Sequence, residues 1–533
     1  MRYLTLALFL LLAACNTVTL TPTPGNATST PRYILRTPTL SDDLPFLITQ
    51  TPTHTPASTP SPAETAPAVP TLSGQAGPYA ADLRPEFQND VGLVPSPTLY
   101  RMDLQLSPAL DRLTGTEAVT YTNRTGQPLS EIYFRLFANY PDGGDKISID
   151  SLQVNQAPAQ KTLEVQDTAL KVALPQSLAP GQSARLDLTW NVTIPISHTE
   201  HYADFTNSDG IVTLPSVYPL IPAYDTQGWH IELPPAYGDL VYADDSFYDV
   251  RITAPTTTTV IASGTAVQTL TQGDQTTYYY IGAPMRDFSI DASTTLRKAS
   301  TQVGDITINS YYLPQDEAIG QNVLNWSAAA LDLYQKRIGP YPFKELDVLE
   351  TPTTAGGIEY PGLVALAEDL YRNPQQRNYL EFADIHEVAH QWFYSNVGDD
   401  QVNTPWMDES FVQYVSYIYE QQTYGQQTAD FIKQSVFQRP WDDAKKQGQD
   451  KPIGLPVMSY SEREYVAFVY GKGPLFFDTV RQQIGDDKFF QFLQTYYSRY
   501  RYKVAHPDDM LKTMNEVSGQ DLTALFNQWV YGK

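Results

Sequence analysis

The sequence predicts an α+β multidomain chain in which a β-sandwich or saddle-shaped antiparallel sheet domain precedes a mixed α/β domain. Three observations carry this expectation. Between residues 79 and 305 short runs of alternating apolar and polar residues are separated by turn residues, with no helix-period stretch of convincing length. From residue 306 onward, strand-like runs alternate with long amphipathic stretches. The chain has 533 residues, 42% of them hydrophobic, which is enough for two sizeable cores.

Residues 1–15 read as an export signal. Arg2 gives a short positive start, and Leu4 to Leu12 form an apolar core too short to span a bilayer. The run ends in Leu12-Ala13-Ala14-Cys15, which resembles a bacterial lipobox, so Cys15 is expected to be lipidated and to anchor an exported protein to the cell membrane or surface. Cys15 is the single cysteine, so no disulfide forms within one molecule. Residues 16–78 are rich in Thr and Pro, as in Thr51-Pro52-Thr53-His54, and are expected to form a disordered tether. A net charge of −24 without a long basic run disfavours nucleic acid as a partner. No obligate protein partner is evident.

In the first domain, Met102, Leu104 and Leu106 alternate with Asp103 and Gln105, the pattern of a half-buried strand. Further strands are expected at Glu117–Thr122, Glu131–Phe137, Ser183–Val192, Tyr248–Thr253, Thr258–Ala262 and Thr277–Ile281. His198, His201 and His230 lie in this domain and are read as loop or core residues rather than a second metal site.

The second domain, residues 306–533, opens with a strand at Ile306–Leu313, a helix at Ala318–Ile338 and a strand near Leu346–Leu349. Ala355-Gly356-Gly357-Ile358-Glu359-Tyr360-Pro361 reads as a glycine-hinged edge strand. Helices are expected over 376–394, over 405–419 with Thr404 as N-cap before Pro405, and over most of the remainder. His506 has no partner motif and is read as structural.

The chemistry centres on His386-Glu387-Val388-Ala389-His390. Histidines four apart stand on one helix face and grip one ion from the same side, while Glu387 is turned toward a water on that ion. Ile385, Val388, Ala389, Trp392 and Phe393 make the helix apolar on most faces, so it is expected to be buried, and its buried polar groups need partners. A catalytic zinc site takes a third protein ligand and leaves one position open. Glu409 offers that ligand after a gap of 409 − 390 − 1 = 18 residues.

These residues, together with Gly356-Gly357-Ile358-Glu359-Tyr360 and Tyr470-Gly471-Lys472-Gly473, resemble the aminopeptidase N family of zinc metallopeptidases, of the gluzincin type. The resemblance covers roughly residues 97–533. It implies a saddle-like β-domain followed by a thermolysin-like catalytic domain, with no C-terminal helical-repeat domain. It implies one Zn2+ per chain on His386, His390 and Glu409. Glu387 is then the general base and Tyr470 the oxyanion donor, with Tyr465 a further family tyrosine. Glu359, with Gly356 and Gly357, binds substrate by its free N-terminus. Asp408 is expected to orient a metal ligand. The family's usual Met and Asn stand here as Ile358 and Tyr360. A second amine-binding residue is sought around Val217–Trp229, where Asp225 is the candidate. The expected activity is release of N-terminal residues from extracellular peptides. The alternatives are a thermolysin-like zinc endopeptidase and a non-catalytic surface binding module on the same fold.

Overall fold

A computed structural model describes residues 77–140, 147–196, 205–233, 235 and 237–533. Cys15, the Thr/Pro-rich stretch up to residue 76, His198 and His201 lie outside the described residues.

Alternation organises the first domain. In Thr98–Leu106 the side chains of Tyr100, Met102, Leu104 and Leu106 are buried while Arg101 and Asp103 face solvent. This strand pairs antiparallel with Arg112–Thr122, which pairs with Ser183–Thr193, which pairs with Ile147–Val154. On its other edge it pairs parallel with Ser246–Pro255, in the register Thr98 to Ser246 and Gln105 to Thr253. The all-antiparallel expectation fails at this one junction. A hairpin imposes antiparallel pairing, and two strands joined through a long excursion escape that constraint. Gln275–Met285 and Thr265–Gln272 extend the sheet, and two smaller sheets and the short Tyr224–Asp225/Gly228–Trp229 pair complete the described part of the domain. The three-stranded sheet contains Leu129–Arg135 and the four-stranded one Ile211–Pro215.

The second domain carries a five-stranded mixed sheet in the order Arg297–Val303, Ile306–Tyr312, Glu345–Thr351, Leu363–Ala367, Gly357–Ile358. Its first strand lies ahead of residue 306, because Arg297–Val303 forms a hairpin with Ile306–Tyr312. Gly357–Ile358 is the edge strand. Helix Glu317–Arg337 packs on the helix Arg377–His390: Tyr334 donates its hydroxyl to Ile385 O at 3.0 Å, and Ser327 donates to Asp384 at 2.7 Å. Helices Glu409–Tyr424, Gly473–Ile484 and Asp486–Tyr500 close the core around Phe411, Phe477 and Phe492.

Arg286 ties the two domains together. Its fully buried guanidinium donates to Asp245 at 2.9 Å and Ala243 O at 2.7 Å on the β side. It also donates to Tyr394 O at 3.0 Å, four residues past His390. The Tyr394 hydroxyl returns a bond to Asp287 at 2.7 Å. Three bonds from this buried cation offset its desolvation and, with the Tyr394–Asp287 bond, fix the end of the central helix against the β-domain.

Candidate active site

The helix Arg377–His390 is buried along its second half, with Ile385, Val388, Ala389 and His390 all at 0% exposure. Three side-chain atoms converge at its end. His386 Nε2 lies 3.1 Å from His390 Nε2 and 3.1 Å from Glu409 Oε2, and His390 Nε2 lies 3.6 Å from Glu409 Oε2. A tetrahedral ion with bonds of about 2.0–2.1 Å separates its ligand atoms by about 3.3 Å. The three atoms already stand at those separations, and two buried imidazole nitrogens facing one carboxylate oxygen are a donor set for zinc. Burial drives the His386 imidazole toward its neutral, ligating form. His390 Nδ1 meets Asp408 Oδ1 at 2.6 Å, which fixes the ring so that Nε2 points at the cluster.

Glu387 lies beside them, with a carboxylate oxygen within 4.8 Å of a ring nitrogen of His386 and of His390. Burial pushes its carboxyl well above the ordinary range. Gly357 explains how it is held. A Cβ built on Gly357 would stand 2.4 Å from Glu387 Cγ, so only glycine lets the edge strand lie against this side chain. Gln391 locks the arrangement: its Oε1 accepts from Gly362 N at 2.8 Å and its Nε2 donates to Tyr360 O at 3.0 Å. The strand segment and the helix are thus stapled one residue past His390. Gly356 packs under Tyr379.

Glu409 opens its helix after a short tight turn, Pro405–Met407. The expected N-cap at Thr404 is not formed. Its hydroxyl donates to Asp400 O at 3.0 Å, because Asp400 organises this loop and accepts from the N–H groups of Val402 and Asn403. Tyr470 is docked beside Glu409 by two contacts. Ser410 Oγ donates to Val469 O at 2.6 Å, and Gly473 lies so close to Ser410 that a Cβ would meet its Oγ at 1.9 Å. The Tyr470 ring is 6.2 Å from that of His386 and 5.6 Å, edge-on, from that of Tyr465. Burial, and then the Glu409 charge, hold its hydroxyl protonated far above the usual phenol range, so it is available as a donor.

Glu359 is 5% exposed, and its carboxylate lies within 4.8 Å of polar atoms of His390 and Asp408. Burial, opposed by the His390 charge and reinforced by those of Asp408 and Glu409, raises it to about 8. Two residues at this site were not anticipated. Gln401 donates from one amide nitrogen to Glu359 at 2.9 Å and to Asp408 at 2.8 Å. Asp239, on a loop of the β-domain, is near enough to Glu359, Glu409 and Asp408 to feel their charges. Burial and those charges push its carboxyl well up. The candidate Asp225 is elsewhere: it pairs with His230 Nε2 at 2.9 Å. His230 Nδ1 meets Glu232 at 3.0 Å, so this histidine is sandwiched by carboxylates and joins no metal cluster among the described residues. His506 begins the helix Pro507–Ser518, its N–H donating to Asp509 at 3.0 Å.

Residues 323–529 match the model of the peptidase family M1 domain. The chain is 25% identical over 248 residues to Aminopeptidase 2 of Candida albicans, a match covering 44% of this chain and 26% of that protein. It is 25% identical over 222 residues to Aminopeptidase M1-B of Oryza sativa subsp. japonica, covering 39% and 25%. The chain thus spans about a quarter of the length of these curated relatives. An M1 zinc metallopeptidase from Deinococcus radiodurans shares the fold, with a TM-score of 0.60 at 19% identity over 82% of this chain and 94% of that one. Another structure of that protein, described as bound to a Tyr-Ser-Ala substrate, gives 0.59 at 20% identity with the same coverage.

Proposed function

We propose that this protein is a zinc aminopeptidase that removes N-terminal residues from peptides, a reading supported by the match of residues 323–529 to the peptidase family M1 domain. The observation that carries the reading is the placement of Glu359: a buried carboxylate beside the cluster of His386, His390 and Glu409, within 4.8 Å of polar atoms of His390 and Asp408 and near enough to Asp239 for their charges to interact. Carboxylates converging beside a hydrolytic centre are the charge complement of a peptide's α-ammonium. Holding that ammonium puts the first peptide bond, and no later one, at the reacting position.

His386, His390 and Glu409 would hold the zinc, one ion per chain. When bound, it supplies a Lewis acid and lowers the pKa of water to about 7. Glu387 takes the proton of the attacking water and delivers it to the leaving amine. The Tyr470 hydroxyl donates to the oxyanion that forms at the scissile carbonyl. Glu359 and Asp239 orient the ammonium, and Gly356 and Gly357 give the substrate backbone an unobstructed edge. Asp408 keeps the His390 ring turned. Support for these roles is the geometry above and the family match.

The reading extends to location on the sequence of residues 1–15 alone: export, lipid attachment at Cys15, and peptides outside the cell as substrates. Membrane fractionation of wild type and Cys15→Ala tests it, with release of the variant from the membrane as the expected result.

The activity is tested with aminoacyl chromogenic substrates on wild type and Glu387→Gln, with and without a chelator. The expected result is release that the chelator abolishes, zinc restores, and Glu387→Gln lacks while retaining zinc. A metal-loaded wild type that turns over no peptide would leave only a binding module.

A further inference from the structure

Gln401 sits on the loop between the two metal-binding helices, at 2% exposure. One atom of it touches two catalytically placed carboxylates. Its Nε2 is 2.9 Å from Glu359 Oε1 and 2.8 Å from Asp408 Oδ2. A primary amide nitrogen carries two N–H groups, and here each goes to a different carboxylate. The NH2 end of the amide is the end that faces them, with Glu359 Oε1 and Asp408 Oδ2 as the acceptors. Asp408 in turn meets His390 Nδ1 at 2.6 Å. A continuous path of three short contacts therefore runs from Glu359 to a metal-binding imidazole.

The loop is rigid on both sides of Gln401. Asp400 Oδ1 accepts from Val402 N at 3.2 Å and Asn403 N at 2.9 Å. Asn403 Nδ2 donates to Asp400 Oδ2 at 2.8 Å and across to Glu232 of the β-domain at 3.0 Å. Gln401 is thus projected from a framed turn. Glu359 follows the short edge strand Gly357–Ile358, which has no partner strand on its outer side among the described residues. Its backbone is held on either side, by the Ile358–Ala365 pairing and by Gln391 at Tyr360 and Gly362, and Gln401 Nε2 is the side-chain donor that meets its carboxylate.

We propose that Gln401 is the positioning residue for free-amine specificity: it sets the distance between the ammonium-binding carboxylate of Glu359 and the metal centre. It also screens the two carboxylates from each other, so that both remain available as acceptors. The inference rests on the proposed role of Glu359.

The test is steady-state kinetics of wild type, Gln401→Leu, Gln401→Asn, Glu359→Gln and the double variant Gln401→Leu/Glu359→Gln. Substrates are an aminoacyl chromogenic compound and its N-acetylated form, and zinc content is measured on each preparation. Leu keeps the side chain's bulk and removes the donors. Asn keeps the amide but is one methylene too short to reach both carboxylates. Losing a hydrogen bond to a charged group is expected to raise KM about 10- to 100-fold in Gln401→Leu. The same variant should show a smaller fall in kcat and unchanged zinc content, and Gln401→Asn should fall between it and wild type. In the Glu359→Gln background, Gln401→Leu should change KM by less than about twofold, since both act on one contact. Three results overturn the proposal: KM within about twofold of wild type in both Gln401 variants, KM effects that multiply in the double variant, or losses that follow zinc content. If those occur while wild type rejects the N-acetylated substrate and Glu359→Gln abolishes that rejection, the aminopeptidase reading stands and Gln401 alone is misassigned. A wild type that cleaves both substrates equally overturns both.

Discussion

Replacing Gly357 by alanine perturbs the site through a single methyl group. That Cβ would lie 2.4 Å from Glu387 Cγ, 2.6 Å from Oε1 and 2.7 Å from Cδ. Ordinary contact begins at 3.4 Å, so something must yield by 3.4 − 2.4 = 1.0 Å. The edge strand cannot retreat freely, because Ile358 is paired with Ala365 and Gln391 anchors Tyr360 and Gly362. The glutamate side chain is the softer partner and takes the displacement. A general base moved by about 1 Å costs on the order of a hundredfold in rate. The ligand atoms of His386, His390 and Glu409 are untouched by this methyl, so zinc content should remain at wild-type level. The assay is kcat and KM on an aminoacyl substrate together with metal content. The expected result is kcat down about a hundredfold with KM changed much less. A kcat within about threefold of wild type in a zinc-loaded, folded Gly357→Ala would refute the claim that Glu387 is the base held by this strand.

Other expectations follow from the same geometry. Tyr470→Phe removes the oxyanion donor while its ring keeps packing on Tyr465; kcat should fall about 10²- to 10³-fold at constant zinc content. Arg286→Met leaves Asp245 buried and unpaired, and urea unfolding should show about 3–5 kcal/mol lower stability. His230 gives a pH dependence of known sign. Burial alone would lower its pKa, but Glu232 and Asp225 outweigh it and raise it to about 9 from 6.5. The charged form is therefore favoured in the folded state. That stabilisation is complete below pH 6.5 and is lost as pH rises through about 9, with at most about 3 kcal/mol at stake. His230→Gln should flatten this alkaline loss in unfolding measurements between pH 6.5 and 9.5.

The parts of the site carried by one helix were legible from spacing. His386 and His390 stand four apart, so no tertiary information is needed to put them on one face. Glu409 was legible from its distance along the chain together with the neighbouring motifs. The reason for Gly357 was not, because the atom it avoids belongs to Glu387, on a different element. Asp239 and Gln401 were missed for the same physical reason. Both come from loops, have no periodicity, and acquire meaning only when Glu359 and Asp408 are folded against them. The one available signal was the Asp399-Asp400-Gln401 run between two predicted helices, too polar for a loop that had to be buried. In the fold, alternation found the strands around Met102 and the apolar spacing found Glu317–Arg337. The parallel pairing of Thr98–Leu106 with Ser246–Pro255 leaves no local trace, since partners nearly 150 residues apart share no turn.

The most direct test of the central claim uses one peptide in two forms, free and N-acetylated, with products followed over time by mass spectrometry. The account predicts stepwise loss of residues from the free N-terminus, abolished by a chelator, and no cleavage of the acetylated form. Internal cleavage of both forms at equal rates would contradict it, and would mean that Glu359 does not bind a substrate ammonium.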